Sequence, residues 1–176
     1  MKPLFTIHAG EYLTGEYIEK KYPDWNVWIP SKDTGIDFLI TNKENNKSVS
    51  IQVKFSKDWN KLNDSYTSSG WWSFNASKID NSTADFWVLV IPSFLEKKES
   101  FVIIKPTELF KRYTAIHGEK KIIQSYLRIS KNNKCWEIRG LSSKDKKALD
   151  EEKYSNKHRN FSRYLDNWAP IEKILN

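Results

Sequence analysis

Hydrophobic and polar positions alternate along two short runs near the start of the chain, within "GIDFLITNKENNKSVSIQVKFSK", residues 35 to 57. A period of two predicts half-buried strands over about 36–41 and 48–55, with "NKENN" as the turn of a hairpin. In the second strand Val49, Ile51, Val53 and Phe55 share one face, while Ser50, Gln52 and Lys54 share the other. Upstream, apolar residues recur at helical spacing from about 6 to 22, with Thr6 placed as the N-cap and Pro23 as the stop. Ile7, Glu11, Thr14, Ile18 and Tyr22 fall on one side of that helix, and Glu16, Glu19 and Lys20 turn away from it.

The same reading continues downstream. "NVWIP" predicts a short strand closed by Pro30, and "SSGWWSFNASKIDNSTA" a loop followed by a short helix. "DFWVLVIP" and "SFVIIKP" predict strands, the first buried on both faces by its composition. "TELFKRYTAI" predicts a helix capped by Thr107, and "SYLRISKNNKCWEIRG" a hairpin turning at Asn132-Asn133. The tail alternates charge, with apolar residues at helical spacing near its end. Strands flanked by helices give an α/β fold with a mixed sheet.

Composition narrows the setting. At 176 residues the chain is expected to form a single domain with its own core. A lone cysteine, Cys135, rules out an intrachain disulfide and is expected to be a small buried filler. No apolar run approaches the roughly 20 residues needed to span a bilayer. The acids in "MKPLFTIHAGEYLTGEYI" interrupt what would be the apolar stretch of an export signal, so a cytoplasmic location is expected. The formal charge of +7 favours a polyanionic partner.

Asp37, at the head of the first strand, points opposite to Ile36 and Phe38 and so toward Gln52 and Lys54 across the hairpin. An acid, an amide oxygen and an ammonium on one side of a sheet suit phosphodiester hydrolysis. A hard cation with oxygen ligands polarises the phosphate, and a lysine steadies the charge that develops on it. The first helix can add a carboxylate. Glu11 lies on its packed face, where a carboxylate is costly unless paired or metal-bound, and Glu16 is the reserve.

An early helix Glu, then "GID", then "QVK" resembles the PD-(D/E)xK superfamily of restriction-endonuclease-like nucleases, over roughly residues 5 to 112. The resemblance implies a restriction-endonuclease-like mixed β-sheet flanked by helices. It implies Asp37, Gln52 and Lys54 as the active-site trio, with the Val53 carbonyl as a further metal ligand. It also implies Mg²⁺ (or Mn²⁺) as cofactor, DNA as substrate and a homodimer that cuts both strands. The expected setting is restriction or host defence, with junction resolution or repair next and RNA left open as a substrate. Two positions depart from the family pattern. Gly35-Ile36 stands where the Pro does, and Gln52 stands where an Asp or Glu does, removing one negative charge from the metal shell. A catalytically weak or inactive nucleic-acid-binding module of the same fold is therefore the rival reading, and a protein-interaction domain the third.

Lys32, Lys57 and Lys61 flank the motif and can hold phosphates, and Lys157, Arg159 and Arg163 in "KHRNFSRY" form either a charged helix face or a DNA-backbone contact. Trp71 and Trp72 read by default as core packing, and are also candidates for base stacking. His8, His117 and His158 lack ligand spacing and read as surface or cap residues.

Overall fold

A computed structural model of the chain describes residues 8–32, 34–56, 66–93 and 98–176. In chain order its elements are α1 (Ala9–Lys21), β1 (Asn26–Trp28), β2 (Phe38–Thr41), β3 (Ser48–Phe55), β4 (Tyr66–Asn75), α2 (Ala76–Asp80), β5 (Phe86–Ser93), β6 (Lys98–Ile104), α3 (Pro106–His117), β7 (Ile122–Ser130), β8 (Cys135–Glu137), α4 (Ser143–Asp150) and α5 (Ala169–Leu175). The strands form a five-stranded mixed sheet of order β1-β2-β3-β5-β6 and a three-stranded antiparallel sheet of order β4-β7-β8. Only β3 and β5 run parallel within the larger sheet. The result is a mixed α/β architecture with helices on both sides of the central sheet.

β5 is buried at every position, as its unbroken apolar run requires, because both faces of the sheet are covered there. One face carries Val49, Ile51, Val53, Val88 and Val90 and packs against Ile18 of α1 and Ile171 and Leu175 of α5. The other carries Trp87, Leu89, Ile91, Val102 and Ile104 and meets Trp72, Phe74, Ile123 and Leu127 of the small sheet, with Leu109 and Tyr113 of α3. Each large side chain buried in these two layers contributes about 1.5–3 kcal/mol. A smaller cluster of Tyr66, Trp136, Ile138 and Leu149 seats α4 on the outer side of the small sheet.

Four local expectations change. Helix α1 begins at Ala9 with His8 as its N-cap, and the Glu11 carboxylate accepts the His8 N–H at 3.2 Å, whereas Thr6 and Ile7 lie outside the described residues. Helix α3 begins at Pro106, whose fixed φ and missing N–H suit the first helical position, so Thr107 lies inside the first turn and caps nothing. The stretch around "SSGWWSFN" is not a loop but the long strand β4, paired with β7 along its length. Its period of two is disguised because Trp72 folds back over Gly70, so a tiny residue occupies an inward position. The "KHRNFSRY" segment forms no charged helix face. It bridges to β8 at Asn160 and ends in a 3-10 turn at Ser162–Tyr164. Among the described residues no helix is long and apolar enough to cross a membrane.

Candidate active site

The hairpin of β2 and β3 pairs Phe38 with Ile51 and Leu39 with Ser50, and the regular ladder stops there. Asp37 stands just beyond it. Its N–H donates to the Ile51 carbonyl at 2.9 Å, the residue that Phe38 already faces, so the chain is out of step at this point. The Asp37 carboxylate then takes the place of the missing strand: its Oδ2 accepts the Val53 N–H at 2.6 Å. Along a strand a residue's N–H and C=O leave on the same side, so the Val53 carbonyl faces the side on which Asp37 lies. Gly35, at φ 82°, makes the turn into this segment, in a region that L side chains rarely adopt.

Gln52 and Lys54 pair with Trp87 and Leu89 of β5 and emerge on the face that those residues share. The Gln52 amide nitrogen lies 3.8 Å from where a Cβ on Gly35 would be, which places it beside the turn that delivers Asp37. The Lys54 ammonium stands 5.4 Å from the centre of the Trp87 ring, and its backbone carbonyl accepts the Trp72 indole N–H at 3.2 Å. Both side chains are half-buried.

Helix α1 brings its N-terminal turn to the same corner. Gly10 allows the approach: a Cβ there would lie 2.6 Å from the Phe55 Cβ at the end of β3. Glu11, half-buried, follows directly. Burial first, and then the charge of Asp37, hold its carboxyl above the ordinary carboxylate range, against the opposing pull of the His8 N–H and Lys54. Glu11, Asp37 and Lys54 are therefore within electrostatic reach of one another. Glu16 points elsewhere and pairs with Lys20 at 2.9 Å.

The remaining sequence candidates disperse. Lys32 is exposed in the segment leading to Asp37, while Lys57 and Lys61 lie outside the described residues. Trp71 is 40% exposed, but Trp72 is only 5% exposed and belongs to the core, so it offers no face to a base. Arg159 donates to the carbonyls of Glu137 and Arg139, at 3.1 and 2.9 Å, and Arg163 pairs with Glu108 at 3.0 Å. These arginines, with the exposed Lys157, tie the C-terminal segment to α3 and β8, elements separate from the α1–β2–β3 corner. His117 is not a surface residue: it ends α3 with its side chain only 9% exposed and Nε2 3.9 Å from the Glu137 carboxylate.

The sequence reading missed a hydrogen-bonded relay on the β1–β2 side. The Trp28 indole N–H donates to the Thr41 hydroxyl at 3.0 Å, and that hydroxyl donates to the Asn45 amide oxygen at 2.6 Å. No periodic signal marks it, because its members come from two strands of three and four residues and a turn.

No protein-family model matches the chain, and no curated protein matches it. Among solved structures it is similar to a bacterial homing endonuclease, I-Ssp6803I, at 14% identity and a TM-score of 0.46 over 94% of this chain and 90% of that one. A superposition at that level carries no argument, and the functional reading rests on the geometry of the corner itself.

Proposed function

We propose that this chain is a divalent-metal-dependent DNA endonuclease that hydrolyses phosphodiester bonds, acting as a homodimer in restriction or host defence. One observation supports the reading: Glu11 lies within electrostatic reach of Asp37 and Lys54, and Gln52 stands beside the turn that delivers Asp37, on a half-buried corner. Burial, and after it the charge of Asp37, raises the proton affinity of Glu11, the direction expected of a half-buried carboxylate beside a second one. An all-oxygen donor set of Asp37, Glu11, the Gln52 amide and the Val53 carbonyl suits Mg²⁺ or Mn²⁺. When bound, such an ion polarises a phosphate oxygen and makes a coordinated water more acidic. Asp37 is held in place by the Val53 N–H, so its orientation precedes binding. Lys54, steadied against Trp87, orients the attacking water and offsets the charge that develops on the phosphate. The net charge of +7 draws the polyanion to the surface. Junction resolution and repair would use the same chemistry on another DNA shape.

A second reading has its own observation. Gln52 contributes no charge, and among the described residues no group of three His, Cys, Asp or Glu side chains is placed to hold a metal. That favours a module that binds nucleic acid without cutting it. Nicking of supercoiled plasmid in Mg²⁺ separates the two: cleavage by the wild type that disappears in Lys54→Ala supports the enzyme, and its absence from the wild type leaves only binding. Calorimetric titration with Mn²⁺, compared between wild type and Asp37→Asn, tests the metal site without turnover. Light scattering tests the dimer.

A further inference from the structure

We infer that Trp28 is a stacking platform for a nucleobase next to the phosphate held at Asp37 and Lys54, an inference that rests on the nucleic-acid reading of that corner. A tryptophan is ordinarily buried for most of its surface, yet Trp28 is 52% exposed. It is nevertheless anchored. Its indole N–H is committed to Thr41, the Thr41 hydroxyl to Asn45, and the Asn26 amide donates to the same Asn45 oxygen at 3.0 Å. Asn45 itself is set by the hairpin turn, at φ 56°. The edge of the ring is thus fixed by polar contacts while much of its surface remains open to solvent. A ring held this way loses little freedom when a planar ligand settles on it.

Position supplies the rest. Trp28 pairs with Leu39, two residues along β2 from Asp37, and Leu39 is itself 37% exposed. At about 3.4 Å per residue and about 4.8 Å between strands, the backbone of Trp28 stands about 8 Å from that of Asp37. That separation is on the scale of one nucleotide, so the platform takes an unstacked or single-stranded base beside the scissile phosphate. A base is the occupant that fits a fixed aromatic surface beside a phosphate-handling corner on a chain of charge +7. Stacking tolerates any base, so Trp28 would grip the strand without reading its sequence.

The test measures binding of the full chain to DNA oligonucleotides carrying 2-aminopurine at successive positions, with Ca²⁺ replacing Mg²⁺. Trp28→Ala should weaken binding about 5- to 150-fold and abolish quenching at one or two adjacent positions. Trp28→Phe should recover most of both, and the salt dependence should stay unchanged because the phosphate contacts remain. Wild-type affinity and quenching in Trp28→Ala would overturn the inference, as would a change in oligomeric mass in that variant, which would make the ring a subunit contact. Lys54→Ala keeps the outcomes apart. If the wild type binds and quenches but never cuts, the nuclease reading fails and the platform stands. If Trp28→Ala binds normally while cleavage still depends on Lys54, the platform fails and the nuclease stands. If the wild type binds no nucleic acid, both fall.

Discussion

Two regions of this molecule gather carboxylates among hydroxyls, amides and cations, and they do opposite things with them. At the α1–β2–β3 corner, Asp37 and Glu11 lie where a strand ends, half-buried and mutually repelling. Between β7, β8 and α3, Glu137 is wholly buried and accepts the Arg139 N–H at 2.8 Å, the Tyr126 N–H at 3.0 Å and the Ser125 hydroxyl. Ser125 in turn accepts the Tyr113 hydroxyl at 2.7 Å, and His117 lies alongside. Serine, histidine and glutamate together have the composition of a nucleophilic site. Yet Ser125, Tyr113 and Glu137 are each 0% exposed, and no substrate reaches them. Within the sealed cluster Tyr113, Ser125 and Glu137 are hydrogen-bonded to one another or to backbone N–H groups, which is what buried polar groups need in order not to destabilise a fold. The corner, by contrast, is half-buried, so its carboxylates and its lysine are within reach of a solute. Access, not residue type, separates the two regions here.

The sharpest way to break this contrast is to remove one group from each region. Lys54→Ala should reduce Mg²⁺-dependent nicking by about 10²- to 10⁴-fold with little change in melting temperature, whereas Ser125→Ala should leave nicking nearly unchanged. A nicking defect in Ser125→Ala alone would reverse the assignment. Next in size, Glu137→Ala should lower stability by about 3 kcal/mol in urea titrations, because it strands the buried Ser125 hydroxyl and removes the acceptor of the Tyr126 and Arg139 N–H groups. Asp37→Asn, at the half-open corner, should cost much less.

The dependence of stability on pH sharpens the same contrast. Burial raises Glu137 to about 7 from 4.5, so the folded state holds a proton that the unfolded state has lost, and stability falls as pH rises through that interval. Burial lowers His117 to about 4 from 6.5, so the unfolded state holds the extra proton, and stability rises with pH over that interval. The two slopes oppose each other between pH 4.5 and 6.5, where the wild-type contribution should be nearly level. Glu137→Gln should leave only the rise, and His117→Asn only the fall, read from urea midpoints across the range.

Smaller effects belong to the corner. Gly10→Ala would press a methyl into the Phe55 Cβ and shift the first turn of α1, so nicking should drop by roughly tenfold, with a stability loss of about 1–3 kcal/mol. Gln52→Glu, the mildest change, should lower the Mg²⁺ concentration needed for half-maximal nicking by a few-fold, since cation affinity follows the charge of the ligand set. An unchanged Mg²⁺ requirement would remove Gln52 from that set.

Much of this architecture was legible before any coordinates. The hairpin of β2 and β3, the buried β5 and the β7–β8 turn follow from periodicity and turn chemistry, because alternation along a strand reports which side is buried. β4 escaped because its inward positions mix Gly70 with Trp72 and Phe74, a pattern that makes sense only once the ring lies over the glycine. His117 was misplaced for a related reason: burial depends on what packs from the opposite sheet or helix, which no local window contains. Glu137 went unnoticed because nothing in "CWEIRG" distinguishes a sealed glutamate from a solvated one.

By itself the sequence determined the alternation of β3, with Gln52 and Lys54 opposite its apolar face, and the positive charge that favours a polyanion. Tertiary structure alone decided that Glu11 arrives beside Asp37, that the Asp37 carboxylate replaces a missing strand at Val53, and that Trp28 stays open while Trp72 does not. The reason is physical. Side-chain direction along one strand is a local property, whereas electrostatic proximity and solvent access arise only when separate elements pack together.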